Sequence, residues 1–136
     1  MPADYFVDTN ILLYRYSTQD EQKRAVATNL LESGQVMASV QVLNEFCNVT
    51  RRKFPDSFLH IEATLAEIQG FLSVVPLDAT DTGNAIRISK RYGFSYYDSL
   101  IVASAGRHGC KVVLSEDLQH GMVLDDGLRI INPFVL

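Results

Sequence analysis

The chain has 136 residues, 47% hydrophobic and 21% charged, with 12 Lys and Arg against 16 Asp and Glu. Those proportions fit one globular domain over residues 1–136, large enough to bury a proper core. They exclude a membrane span of ~18 apolar residues and, at a net charge of −4, a uniformly basic nucleic-acid binder. Met1-Pro2-Ala3-Asp4 has no basic patch ahead of an apolar run, so no secretory signal is expected. Cys47 and Cys110 lack zinc-ligand spacing, and the expectation is a reduced, cytoplasmic protein.

The elements follow in order. Residues 5–8 read as a first strand, and Thr9 or Asn10 can cap a short helix through Ile11-Leu12-Leu13-Tyr14. Asp20 opens a second helix with Ala25, Ala27, Leu30 and Leu31 inward, closed by Gly34. Residues 35–38 read as strand two, and Ser39 as the cap of a helix from 40 to about 53.

Beyond Pro55 the spacing predicts one helix from Asp56 to about Leu72. Its apolar set is Phe58, Leu59, Ile61, Leu65, Ile68, Phe71 and Leu72. That stripe is broad enough for core alone or for core and a subunit interface together. Residues 73–77 read as strand three, placed at a sheet edge by Pro76. Helices over 80–92 and from near Tyr97 to before Gly109 follow. Strands at 110–115 and 128–132 complete the chain. Alternation of this kind implies an α/β fold, a mostly parallel sheet of about five strands covered on both faces.

Parallel sheets of this type bind ligands beyond the carboxyl ends of their strands, where the strand order reverses. Four acids can meet at that edge: Asp8 ends strand one, Glu45 lies about two turns into the helix after strand two, Asp98 opens a helix, and Asp117 follows strand four. Each alone is compatible with a helix cap or an exposed acid. Asp8 and Asp98 stand out because Val7, Ile11, Leu12, Tyr96, Tyr97, Leu100 and Ile101 surround them, where an unpaired carboxylate is costly. An all-oxygen set selects a hard cation, Mg²⁺ or Mn²⁺, over zinc. Such an ion suits phosphate chemistry, activating a water and stabilising the leaving oxygen. If four acids hold metal, the remaining 12 (16 − 4) balance the 12 bases. The basic clusters Arg51-Arg52-Lys53, Arg87 with Lys90-Arg91, and Arg107-His108 with Lys111 are then either phosphate contacts or solvated helix ends.

The chain resembles the PIN-domain family, and within it the VapC-type toxins of toxin–antitoxin pairs. The resemblance rests on Val7-Asp8-Thr9-Asn10-Ile11-Leu12, Ala38-Ser39-Val40-Gln41-Val42-Leu43-Asn44-Glu45, the stretch Tyr97-Asp98-Ser99-Leu100-Ile101-Val102-Ala103-Ser104-Ala105, and Leu114-Ser115-Glu116-Asp117-Leu118. It implies a three-layer α/β/α sandwich and a Mg²⁺-dependent endoribonuclease that cuts structured RNA such as tRNA. It also implies a homodimer silenced by a small antitoxin. By the same resemblance Asp8, Glu45, Asp98 and Asp117 are the catalytic, metal-binding acids, with Thr9, Asn10 and Ser115 orienting acids or water. Ser115 stands where Thr is frequent, keeping the hydroxyl. Glu116 and Asp125 are spare acids that compete with Asp117 for the fourth place. Two other readings are a receiver-type signalling domain phosphorylated on Asp78, and a PIN-like scaffold that binds RNA without cutting it. The first lacks an acidic pair after strand one and a Lys after the last strand; the complete set of four acids argues against the second.

Overall fold

The first strand takes the centre of the sheet. In the computed structural model, which describes residues 4–135, strand β1 (Tyr5–Val7) is flanked on both sides, and Phe6 and Val7 are 0% exposed. Strands β2 (Val36–Ser39), β3 (Ser73–Val75), β4 (Val112–Leu114) and β5 (Arg129–Ile131) complete the order β3-β2-β1-β4-β5. Every pairing between these strands is parallel. Phe6 aligns with Met37 on one side and Val113 on the other. β3 is an edge strand, as Pro76 predicts. Full burial of all four β2 residues fits a strand covered on both faces.

Helices α1 (Thr9–Tyr16) and α2 (Glu21–Glu32) connect β1 to β2. Helices α3 (Val40–Lys53), α4 (Pro55–Phe58) and α5 (Ile61–Phe71) connect β2 to β3. Both connections step the same way across the sheet. Helices α6 (Ala79–Tyr92) and α7 (Tyr96–Arg107) then carry the chain from β3 back past β1 to β4. Right-handed crossovers put the first five helices on one face and the last two on the other, giving three layers. The reversal of direction falls between β1 and β4. Among the described residues no helix is long and apolar enough to cross a membrane.

Four local expectations need correction. The cap of α1 is Asp8, not Thr9 or Asn10: its Oδ1 accepts the Thr9 N–H at 2.6 Å. Ser39 occupies the N-cap position of α3 but makes no capping bond. It still pairs with Val75 as the last residue of β2, and its hydroxyl is buried among the strands. Ala25 is exposed, so α2 faces the core through Ala27 and Leu31. The helix expected from 56 to 72 is two helices, because the His60 N–H bonds three residues back to the Ser57 carbonyl and ends the first. Leu59 is left 74% exposed at the break, and of the expected stripe only Ile68 and Leu72 are buried.

Candidate active site

The centre of the site is a carboxylate that the fold buries between two strands. Asp8 continues β1 by donating its N–H to the Leu114 carbonyl of β4 at 3.0 Å. Its side chain is therefore at the carboxyl edge, on the reversal point, and is 4% exposed. Oδ1 accepts the Thr9 N–H, and Oδ2 accepts the Ser115 hydroxyl at 2.9 Å. Ser115 is buried just past β4, and its Oγ also accepts the backbone N–H groups of Asp117 and Leu118 at 3.2 and 3.4 Å. One hydroxyl thus links the end of β1 to the turn that carries Asp117.

Two of the other acids are held by neutral side chains. Thr9 Oγ1 donates to Glu45 Oε2 at 3.1 Å, and Asn10 Nδ2 donates to Asp117 Oδ2 at 2.9 Å. Consecutive residues of α1 therefore hold the second and fourth acids, one each. Asp98 is the third residue of α7, and its N–H is capped by Ser95 Oγ at 3.2 Å, so the expected opening of the helix by Asp98 itself is replaced by a Ser95 cap. The acids repel one another. Burial first, then the charges of Asp98 and Asp117, push the Asp8 carboxyl up to about 6 against the bonds from Ser115 and Thr9. Burial and the charges of Asp98 and Glu116 likewise raise Asp117, with the Asn10 bond opposing.

The spare acids are engaged elsewhere. Glu116 Oε1 accepts the Tyr14 hydroxyl, and Oε2 accepts Lys23 Nζ, both at 2.5 Å. Partial burial works to raise Glu116, but these partners outweigh it and hold the carboxyl below its usual range. Asp125 pairs with Arg91 at the surface. Asp78 caps α6 through a reciprocal capping box with Asp81, at the sheet's edge strand and away from the reversal point.

Sequence reasoning missed Gln41. Its Nε2 donates to Glu45 Oε1 at 2.7 Å and to the Tyr97 carbonyl at 3.0 Å, tying α3 to the start of α7. The i,i+4 spacing of Gln41 and Glu45 was a visible signal for half of that arrangement.

Among the described residues, no group of three or more acids, histidines or cysteines is placed closely enough to hold a metal ion as it stands. The donor chemistry nevertheless fits a hard cation. Asp8 presents a buried carboxylate with two acidic neighbours close enough to raise its proton affinity, and all the donors are oxygens. Mg²⁺ keeps several of its waters and takes one or two carboxylates together with substrate phosphate, so a loose set of acids suits it.

The sequence pattern of the PIN domain matches residues 5–121. The chain belongs to the PIN-domain family. Solved structures with the same fold include a toxin–antitoxin complex from Klebsiella pneumoniae (TM-score 0.71, 16% identity, covering 95% of this chain and 97% of that one). FitAcB from Neisseria gonorrhoeae is similar at TM-score 0.70 and 19% identity, over 97% of this chain and 99% of that one. VapC20 from Mycobacterium tuberculosis, a sarcin-ricin loop cleaving toxin, is similar at TM-score 0.68 and 20% identity, over 83% of this chain and 89% of that one. No curated protein sequence matches. In this PIN domain the first motif supplies the buried acid, which also caps α1, and two positioning side chains, all within Asp8-Thr9-Asn10.

Proposed function

We propose that this PIN domain is a divalent-metal-dependent endoribonuclease, the toxin of a toxin–antitoxin pair, hydrolysing phosphodiester bonds in structured RNA such as tRNA. The observation that carries the reading is the buried Asp8 carboxylate, fixed at both oxygens, with Asp98 and Asp117 close enough to raise its pKa. A fold that keeps such a group at the reversal point of its sheet accepts a cost in stability that a cation would offset. Structural similarity to toxin–antitoxin proteins supports the same reading. So does the resemblance over all four motifs, which also supports a homodimer and a small antitoxin partner.

Asp8, Glu45, Asp98 and Asp117 would hold Mg²⁺ or Mn²⁺. The bound ion would supply charge for the scissile phosphate and lower the pKa of the attacking water. The chain's own residues do the positioning. Ser115 and the Thr9 N–H hold both oxygens of Asp8, Thr9 and Gln41 hold Glu45 at its two oxygens, and Asn10 holds one oxygen of Asp117. Neutral donors suit this task, since they orient carboxylates without competing as cations for the charge that the acids present.

The purified protein is expected to cut RNA in Mg²⁺ or Mn²⁺ and to stop on addition of EDTA. Millimolar metal should raise the melting temperature by a few degrees, because the ion binds the native acids and not the unfolded chain. RNA binding without cleavage under these conditions would sustain the scaffold reading in its place.

The fourth acid has its own test. Asp117→Asn is expected to lower the cleavage rate at least ~10-fold, the scale seen when groups around a metal are altered. Glu116→Gln should leave the rate near wild type and lower the melting temperature, since Tyr14 and Lys23 lose their carboxylate. The reverse pattern in the two rates would transfer the role to Glu116.

A further inference from the structure

A groove of about 440 Å³ opens beside the acids, between α3 and the start of α7. Gln41, Asn44 and Asn48 line it from α3, Tyr97 and Leu100 line it from α7, and Glu45 belongs to both groove and acid site. Positions 41, 44, 45 and 48 share one helix face by their spacing. Apart from Glu45 the wall carries no charge, so a phosphate gains little there. The Asn44 and Asn48 amides are exposed, and each offers two donors and an acceptor.

Tyr97 is 65% exposed, an unusual place for a large ring, and Tyr96 packs edge-on to it with centroids 5.4 Å apart. The backbone beneath is tied at two points. Tyr97 is in the first turn of a helix capped by Ser95, and its carbonyl accepts the Gln41 amide. Gln41 is itself only 6% exposed, so the strut is buried while the ring is open. An exposed aromatic on a fixed support, beside amide side chains and adjoining the acids, has the chemistry of a base-stacking platform. Single-stranded RNA bases splay onto such rings and are read along their edges by amides.

Resting on the nuclease reading above, we propose that the groove between α3 and α7 is a nucleoside subsite next to the scissile phosphate, where an RNA base stacks on Tyr97 and the Asn44 and Asn48 amides read its edge. Tyr97 then sets affinity, and the two asparagines set the preferred base at that position.

The test uses the full chain carrying Asp8→Asn, so that RNA is bound without being cut. The probe is a short single-stranded oligoribonucleotide, compared with the same strand made abasic. Adding Tyr97→Ala is expected to weaken binding of the intact strand about 10-fold and to leave the abasic strand unchanged. The backbone bond from Gln41 to position 97 survives that substitution, so the melting temperature should hold. Tyr97→Trp should restore binding. The chain has no other Trp, so quenching of its single indole on adding the intact strand reports stacking directly. In the active protein, Tyr97→Ala should raise KM with little change in kcat. Asn44→Ala and Asn48→Ala should change the ranking of strands that differ only in the base beside the cut. Unchanged binding with Tyr97→Ala, no indole quenching, or no binding of RNA by the Asp8→Asn chain would each overturn the subsite. Tyr97-dependent binding with no cleavage by the wild-type chain in Mg²⁺ or Mn²⁺ would instead overturn the nuclease reading and leave the subsite standing.

Discussion

Asp8→Asn is expected to lower RNA cleavage by a factor on the order of 10³ or more, because it removes the charge on which a bound cation would be centred. The substitution is nearly isosteric, and its Oδ1 can still accept the Thr9 N–H that caps α1. The fold should therefore survive. Asp8 is 4% exposed with Asp98 and Asp117 nearby, so replacing its charge relieves repulsion in the metal-free protein. Near neutral pH the variant's melting temperature without metal should stay close to that of wild type, because the relieved repulsion offsets the lost Ser115 bond to Oδ2, and the rise caused by Mg²⁺ should shrink or vanish. Cleavage assays with and without EDTA, beside thermal melts with and without metal, check both halves. A variant that cuts RNA at the wild-type rate would sink the assignment of Asp8. A variant that is inactive because it is unfolded would show it in the melt.

What the sequence made legible was what local pattern and topology control. The order of elements along the chain, parallel pairing and the edge position of β3 follow from alternation, apolar runs and one proline. Asp8, Glu45, Asp98 and Asp117 could be placed near one edge because each sits a short step from the end of a strand or the start of a helix. What stayed hidden were contacts made across long sequence separations. The engagement of Glu116 by Lys23 spans 93 residues, and the bond from Ser115 to Asp8 spans 107. Neither leaves a periodic trace, so Glu116 and Asp117 could not be told apart from the sequence. The caps were misread for a related reason. Asp8, Thr9 and Asn10 are all good capping residues, and only the β1–β4 pairing, which fixes where the strand ends, decides that Asp8 takes the role. The broken helix between Phe58 and Ile61 was missed because apolar spacing persists through Leu59 while the backbone bonding does not.

Arg107, from one of the basic clusters that the sequence left open between phosphate contacts and solvated helix ends, has a different use, and its loss should be the largest structural effect outside the apolar core. Arg107, at the end of α7, donates through Nε and Nη2 to the two oxygens of Asp81 at 2.7 and 2.9 Å, and through Nη2 to the Pro76 carbonyl at 3.0 Å. Asp81 is 0% exposed in the first turn of α6, and its remaining donor is the Asp78 N–H at 3.1 Å. The pair fastens the start of α6 to the end of α7. Those two helices form the layer that carries Asp98. Arg107→Met keeps much of the aliphatic contact but strands a buried carboxylate, the situation in which breaking an ion pair is most destabilising. The melting temperature at neutral pH is expected to fall by roughly 10 °C.

The pH dependence separates this mechanism from lost packing. In the wild-type chain, burial works to raise the Asp81 carboxyl, but the bonds from Arg107 and the Asp78 N–H outweigh it and hold it below its usual value of 3.8. A carboxyl depressed in the folded state contributes stability that is present above its unfolded pKa and is lost as pH falls through the folded one. In the variant, burial acts without Arg107 to oppose it, the folded pKa lies above the unfolded one, and the sign reverses. The variant should therefore gain stability as the solution is acidified toward about pH 4, while the wild-type chain loses the contribution of Asp81 only below that point. Denaturant unfolding of both proteins across that range should show the gap between them narrowing on acidification. A gap that stays constant with pH would assign the effect of Arg107 to packing of its side chain and not to the charge it neutralises.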